Sequence, residues 1–359
     1  MEVTFQTKRD TRTVAIEPGE SILFAGLRAG LELPYECASG TCGTCQALPL
    51  DDSEMRDAWP SAVGKQRIPP DSGRVLMCQT HCETSTRLRV FGLLKDRAVD
   101  DVNPAYFLAK LNSVDRVNPD IMVFSLKLDR RIDYRAGQFV MLRVGGVKGW
   151  RAYSMITAQA DDNFLALVIK RLPGGGISSR LFDHAHPGER IEVFGPLGRA
   201  CLRQNDGDIV AIAGGTGIAG IMSVLESAVH TNYFDTHRAR VFFGLRKLID
   251  QFFFNRLSTL IAQSGDKINV TIALSDETET AATVPGFPTL RLAKGLVHDV
   301  AEADFNANPP AADTACFLAG PPAMIDIAEQ SLITKYSVQS TQIRLDRFGV
   351  VAHVSARHP

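Results

Sequence analysis

The hydrophobic positions change rhythm three times along the chain. Near the start, EVTFQT and TRTVAIE alternate apolar and polar residues as a hairpin does. SILFAGLRAGL then places apolar residues at helical spacing, and RLRVFGL returns to alternation. The polar stretch LKDRAVDDVNPA, with turn-prone Asn103 and Pro104, reads as an interdomain linker and puts a boundary near residue 100. Short strands follow, MVFSLKL, QFVMLRV, FLALVIKR and RIEVFGP, broken by Ala-Gly, Gly-Gly and Pro-Gly turns; they predict a small antiparallel barrel. Beyond Asp206 and Gly207 the order becomes strand, helix, strand: DIVAIAG, GIMSVLESAVHTN, ARVFFGL, INVTIAL, CFLAG, AMIDIAEQSLITKY and QIRLDRF. That alternation predicts a parallel α/β sheet. The expected units are residues 1–95, 104–204 and 205–348, with a short tail after Phe348.

A chain of 359 residues is long enough for two or three such units. With 45% hydrophobic and 22% charged residues it has an ordinary globular composition, and a net charge of -1 offers no basic excess to neutralise a nucleic-acid backbone. No apolar run is long enough to span a bilayer, and MEVTFQTKRDTRTV alternates like a strand where a signal peptide needs an apolar stretch. A cytoplasmic protein with no nucleic-acid partner and no membrane insertion is expected.

Of seven cysteines, Cys37, Cys42, Cys45, Cys78 and Cys82 fall in the first quarter, while Cys201 and Cys316 stand alone. Cys37, Cys42 and Cys45 spell C-x4-C-x2-C, and Cys78 follows at a distance that matches the plant-type spacing for a [2Fe-2S] cluster. The residues between them, Ala38, Ser39, Gly40, Thr41, Gly43 and Thr44, are small, so backbone can wrap a cluster and aim N–H groups at its sulfurs. A zinc site built from Cys42, Cys45, Cys78 and Cys82, with His81 beside it, is the competing arrangement, but it leaves Cys37 idle. Cys82 reads as an unligated thiol in strand pairing beyond the cluster, and His81 as a packing or surface residue.

In the barrel segment, Arg151, Tyr153 and Ser154 form R-x-Y-S, with Ile169 and Lys170 and then Gly174, Gly175, Gly176, Ile177, Ser178 and Ser179 downstream. An arginine can pair with a pyrophosphate oxygen, a tyrosine ring can cover a flavin face, and a serine hydroxyl can meet its reactive edge. The glycine run lets backbone amides approach phosphate, although read alone it also suits a hairpin turn.

The strand DIVAIA runs into Gly214, Gly215, Thr216, Gly217, Ile218 and Gly220 and then a helix, so pyrophosphate can sit against a helix N-terminus. The ordinary dinucleotide fingerprint also wants an acid ending the second strand. Here ARVFFGL ends on Arg246 and Lys247, and that test fails.

Taken together these residues resemble the three-domain oxygenase reductases of the ferredoxin-NADP reductase superfamily, the reductase components of bacterial toluene, phenol and methane monooxygenases and of benzoate-type dioxygenases. The resemblance spans nearly the whole chain. It implies a β-grasp plant-type ferredoxin domain, an antiparallel Greek-key flavin barrel and a parallel α/β nucleotide domain. By the same resemblance R-x-Y-S and Gly175 to Ser178 hold FAD, preferred over FMN by domain order, and Gly214 to Ala219 match the family's nucleotide loop, with Gly220 where proline is usual. Gly320, Pro321, Pro322 and Met324 match the segment bordering the nicotinamide, with Ala319 in place of its usual cysteine. The G-x-R-x-x-x-D pattern of Gly244, Arg246 and Asp250 favours NADH, although Arg246 and Lys247 suit a 2′-phosphate on charge alone. Phe348, in Arg344-Leu345-Asp346-Arg347-Phe348, is expected to approach the flavin ring.

The implied activity is hydride transfer from NADH to FAD, with Ser154 and Phe348 at the reacting edge, then delivery of single electrons through the [2Fe-2S] cluster to an oxygenase component or an intermediary ferredoxin, as in aromatic hydrocarbon catabolism. Docking is expected near the cluster loop, where Asp51, Asp52, Glu54 and Asp57 offer steering charge. A deoxysugar-type reductase with the same domain order and a non-enzymatic iron–sulfur or zinc sensor are the competing readings.

Overall fold

Val3 and Phe5 alternate with polar neighbours on the strand Glu2–Gln6 and are fully buried, which fixes the face this strand turns inward. The computed structural model describes residues 1–92, 94–98, 101–158, 163–172, 174–277 and 281–347. Glu2–Gln6 pairs antiparallel with Thr11–Ala15 and parallel with Thr86–Val90, in a five-stranded sheet completed by Gln46–Pro49 and Val75–Leu76. The helix Ile22–Arg28 packs against this sheet. Its first turn is capped by Ser21, whose Oγ accepts the Phe24 amide at 3.3 Å, and Ile22 to Leu27 are all buried. A β-carbon at Gly26 would come within 2.4 Å of Leu33, so close packing requires glycine there.

The apolar core of this first unit does not end at its own boundary. Phe139, Met141, Phe194 and Leu197 of the barrel belong to the same buried cluster as Phe5, Phe24 and Leu88. Phe24 stacks on Phe194 with ring centroids 4.2 Å apart and meets the edge of Trp150 at 5.6 Å. Fully burying one such ring is worth about 1.5–3 kcal/mol. The segment read as a linker is also structured: Lys95–Asp96 pairs with Leu31–Glu32, and the Arg97 amide donates to the Gly30 carbonyl at 2.8 Å.

The barrel has six antiparallel strands in the order Arg151–Ser154, Phe139–Val144, Arg190–Leu197, Ala105–Asn118, Ile121–Leu128, Phe164–Lys170. A bridge between Met155 and Leu167 draws the two edges together. The four strands legible from alternation are all present. The longest, Ala105–Asn118, is not among them: it bends at irregularities near Leu111 and Arg116 that blur its period.

In the C-terminal unit the strands Ile209–Gly214, Ala239–Leu245, Ile268–Leu274 and Phe287–Lys294 run parallel in one direction across the sheet. Ala315–Gly320 and Ile343–Arg347 extend it on the other side of Ile209–Gly214. Helices Ile218–His230 and Phe254–Gln263 cover one face, and Val297–Ala307 and Pro322–Thr334 the other. The strand order therefore reverses between Ile209–Gly214 and Ala315–Gly320, and the crevice beyond their C-terminal ends is where such sheets bind ligands. No helix among the described residues is long and apolar enough to cross a membrane.

Candidate functional site

The four spaced cysteines are brought together in two pairs. Cys37 and Cys42 shift each other's titration, Cys45 shifts that of Cys78, and all four are buried. The Cys42 thiol and nearby amides hold Cys37 well below the usual thiol range, whereas Cys45 and burial push Cys78 far up. Amides of Ser39, Thr41 and Cys42 point at Cys37 Sγ from 3.3–3.4 Å, and the Thr44 amide at Cys42 Sγ from 3.5 Å. Gly43 has φ +78, and a β-carbon on it would meet the Gly64 carbonyl oxygen at 2.7 Å. Among the described residues no three His, Cys, Asp or Glu side chains converge on one point as ligands of a single ion. Two cysteine sulfurs for each of two irons is the arrangement a [2Fe-2S] cluster takes, and a donor set of four cysteines that includes Cys37 fits it. Cys82 lies opposite Met55 in a strand pair, and His81 Nδ1 is 3.0 Å from the Glu20 carbonyl oxygen, so both serve packing.

Arg151, Tyr153 and Ser154 lie on the edge strand Arg151–Ser154, paired with Phe139–Val144. The Arg151 guanidinium donates to the Trp150 carbonyl at 2.9 Å and lies 5.2 Å from the ring centre of Trp59 in the first unit. Burial pushes the Tyr153 phenol up. The glycine run is more than a turn: Gly175 is the N-cap of a helix, Gly176–His184, whose first turn presents the amides of Gly176, Ile177 and Ser178 toward a phosphate, while those of Gly175 and Ser179 donate to the Leu172 and Gly175 carbonyls. Ser178 Oγ accepts the Leu172 amide at 3.2 Å and Ser179 Oγ donates to the Leu172 carbonyl at 3.3 Å, fixing the loop before the helix. Ile169 is buried in the barrel core, and the Lys170 side chain is exposed.

At the crevice of the parallel sheet, Gly214 ends its strand, Gly215, Thr216 and Gly217 make one tight turn, and Ile218 opens the helix. Gly320, at φ +151, sits against Gly214, and Gly214 sits against Pro321 and Met324: a β-carbon on either would lie 2.9–3.1 Å from the other segment. The two glycine segments, more than a hundred residues apart, thus share one opening, with Pro322 starting the helix behind it. Arg246 is not left free. Its Nε donates to Asp276 Oδ2 at 2.9 Å, and the Asp276 amide donates back to the Arg246 carbonyl at 2.9 Å. The acid missing from the end of the second strand is supplied from the end of the third. Asp250 accepts the Lys247 amide at 3.1 Å and caps the intervening turn.

One residue unites these sites. Asp346, on the terminal strand, accepts a hydrogen bond from Ser154 Oγ, lies in register with Ala319, and feels the Cys37 thiolate; burial pushes its carboxyl up to about 6. Phe348 lies outside the described residues. Of the acids near the cluster loop, Asp51 is engaged by Thr86 and Arg87 and Asp57 by Lys65, while Asp52 and Glu54 remain exposed.

Known families match each unit: a 2Fe-2S iron-sulfur cluster binding domain over residues 5–83, an oxidoreductase FAD-binding domain over 108–201 and an oxidoreductase NAD-binding domain over 211–330. The reductase component of propane 2-monooxygenase from Mycolicibacterium smegmatis is 30% identical over 87% of this chain and 88% of its own. The protein belongs to the three-domain oxygenase reductases. The ferredoxin–NAD(+) reductase component of an alkene monooxygenase system from Xanthobacter autotrophicus is 29% identical, covering 94% of this chain and 98% of that one. A ferredoxin reductase in carbazole 1,9a-dioxygenase superimposes with a TM-score of 0.80 over 97% of this reductase and 99% of that chain, at 26% identity. This reductase is accordingly a flavin iron–sulfur oxidoreductase with [2Fe-2S], FAD and NAD(H) as cofactors, and its relatives donate electrons to oxygenase components.

Proposed function

We propose that this reductase is specific for NADH and passes single electrons to a ring-hydroxylating dioxygenase or a diiron monooxygenase, directly or by way of a separate ferredoxin. FAD, when bound, turns the two-electron hydride into single electrons that the cluster carries onward. Cys37, Cys42, Cys45 and Cys78 ligate the irons. Arg151 pairs with the FAD pyrophosphate, the helix N-terminus from Gly175 to Ser179 receives the same phosphates, and Tyr153 covers the ring. The backbone at Ile169 and Lys170 borders that site. Ser154 presents its hydroxyl to the reacting edge, and Asp346 holds the hydroxyl in place and can carry a proton there near neutral pH. Gly214, Gly215, Thr216, Gly217 and Ile218 receive the nucleotide pyrophosphate, and Gly320, Pro321, Pro322 and Met324 border the nicotinamide.

NADH preference follows from Asp276. It neutralises Arg246 and offers a carboxylate where NADPH would bring a 2′-phosphate. The observation that supports the whole reading is that the terminal strand reaches both neighbours: Asp346 accepts from Ser154 of the barrel, and the adjacent Arg347 pairs with Glu36, which precedes Cys37. Domain limits of 1–95, 104–204 and 205–348 go with it. So does a cytoplasmic setting, where NADH is supplied and where cysteines that are all unpaired stay reduced. Anaerobic titration tests it: NADH should bleach both the flavin and the cluster absorption at concentrations where NADPH does neither, and equal response to both nucleotides overturns the preference.

A further inference from the structure

Arg347 follows Asp346 on the terminal strand, and its guanidinium gathers three carboxylates. Its Nη2 is 2.6 Å from Glu329 and 3.1 Å from Asp326, one helical turn apart on the helix Pro322–Thr334, and its Nη1 is 3.1 Å from Glu36. The side chain is only 11% exposed. Two of these partners belong to the nucleotide domain. The third, Glu36, directly precedes Cys37 in the loop that wraps the cluster. The barrel holds the same segment from the other side, for the Gly198 amide donates to the Tyr35 hydroxyl at 3.0 Å.

We propose that Arg347 is a positioning residue for electron transfer: by clamping Glu36 to the nucleotide domain it holds the cluster loop at a set separation from the flavin edge that the neighbouring Asp346 helps define. The inference rests on the reading of Cys37 as an iron ligand and Ser154 as a flavin contact. Electron transfer weakens steeply with distance, so a loop free to drift by a bond length or two transfers more slowly even with both cofactors in place. Glu36 is the arm that matters, because it is the one that crosses between domains. Losing Glu329 leaves the crossing intact.

The test compares Glu36→Gln and Glu329→Gln in the full-length, cofactor-loaded protein, matched for iron and flavin content. Amide hydrogen exchange over the cluster loop is expected to speed up about fivefold in E36Q, the factor a partly exposed ion pair supports, and to stay unchanged in E329Q. Cytochrome c reduction through the cluster should fall in E36Q while anaerobic bleaching of the flavin band by NADH keeps its rate. Unaltered loop exchange in E36Q, or equal acceleration in E329Q, overturns the clamp. If the parent protein shows no cluster or flavin band, the underlying assignment has failed and the clamp falls with it; if both bands are present and respond to NADH, a negative result in E36Q counts against the clamp alone.

Discussion

Ser154 Oγ donates to Asp346 Oδ2 at 2.9 Å across 192 residues of chain, joining the edge strand of the barrel to the last strand of the nucleotide domain. The carboxyl is pushed up chiefly by burial, and the Cys37 thiolate adds to this while the Ser154 hydroxyl opposes it. Between the unfolded value near 3.8 and the folded value of about 6, the native state therefore binds more protons than the unfolded chain, and stability drops as pH rises through that window. Asp346→Asn keeps an acceptor for Ser154 without the charge. Its unfolding free energy from urea titration should exceed the parent's above pH 6.5, by at most about 3 kcal/mol, and the two should converge toward pH 4. The pH profile of flavin reduction by NADH should lose its inflection near 6.

Nucleotide choice is expected to yield at Asp276. Asp276→Asn releases Arg246 and removes a negative charge from the pocket edge, so kcat/KM for NADPH should rise roughly tenfold while that for NADH changes less. Steady-state kinetics with both nucleotides decide it; a uniform loss for both would place Asp276 in a structural role only.

Cys42→Ser should abolish the cluster absorption and the cluster-dependent reduction of cytochrome c, with flavin bleaching by NADH preserved. The separation follows from Cys42 and the strand Arg151–Ser154 being held by different units of the chain. Equal loss of both signals would mean that the two sites are not independent.

If Arg151 makes the charge-assisted contact with the FAD phosphates proposed above, worth about 1.5–3 kcal/mol, Arg151→Ala should bind FAD about ten- to a hundredfold more weakly. Purified variant should be flavin-depleted with its iron content intact, as measured by released flavin and iron assay.

The legible parts of this protein are local ones. C-x4-C-x2-C, the Arg151–Ser154 string and the Gly214–Gly217 turn each place their chemistry within a few residues, so spacing alone locates them. The strand Ala105–Asn118 is hidden because Leu108 is apolar on its exposed face and because Asp115 and Arg116, both exposed, break the alternation where it bends. The helix at Gly176 is hidden because glycine is a poor helix former and reads as a turn. Asp276 and Asp346 act on partners 30 and 192 positions away, through strand neighbours that only the assembled sheet defines. The terminal motif containing Asp346 is recognisable in the sequence, but there the weight falls on Phe348, and nothing local singles out the carboxylate two residues earlier.

The stacking of Phe24 on Phe194 bears on how electrons leave the molecule. A cluster-bearing unit whose interior is continuous with that of its neighbour is no swinging arm that shuttles between donor and acceptor. The acceptor then comes to a stationary outlet, and each delivery is an encounter between two whole bodies.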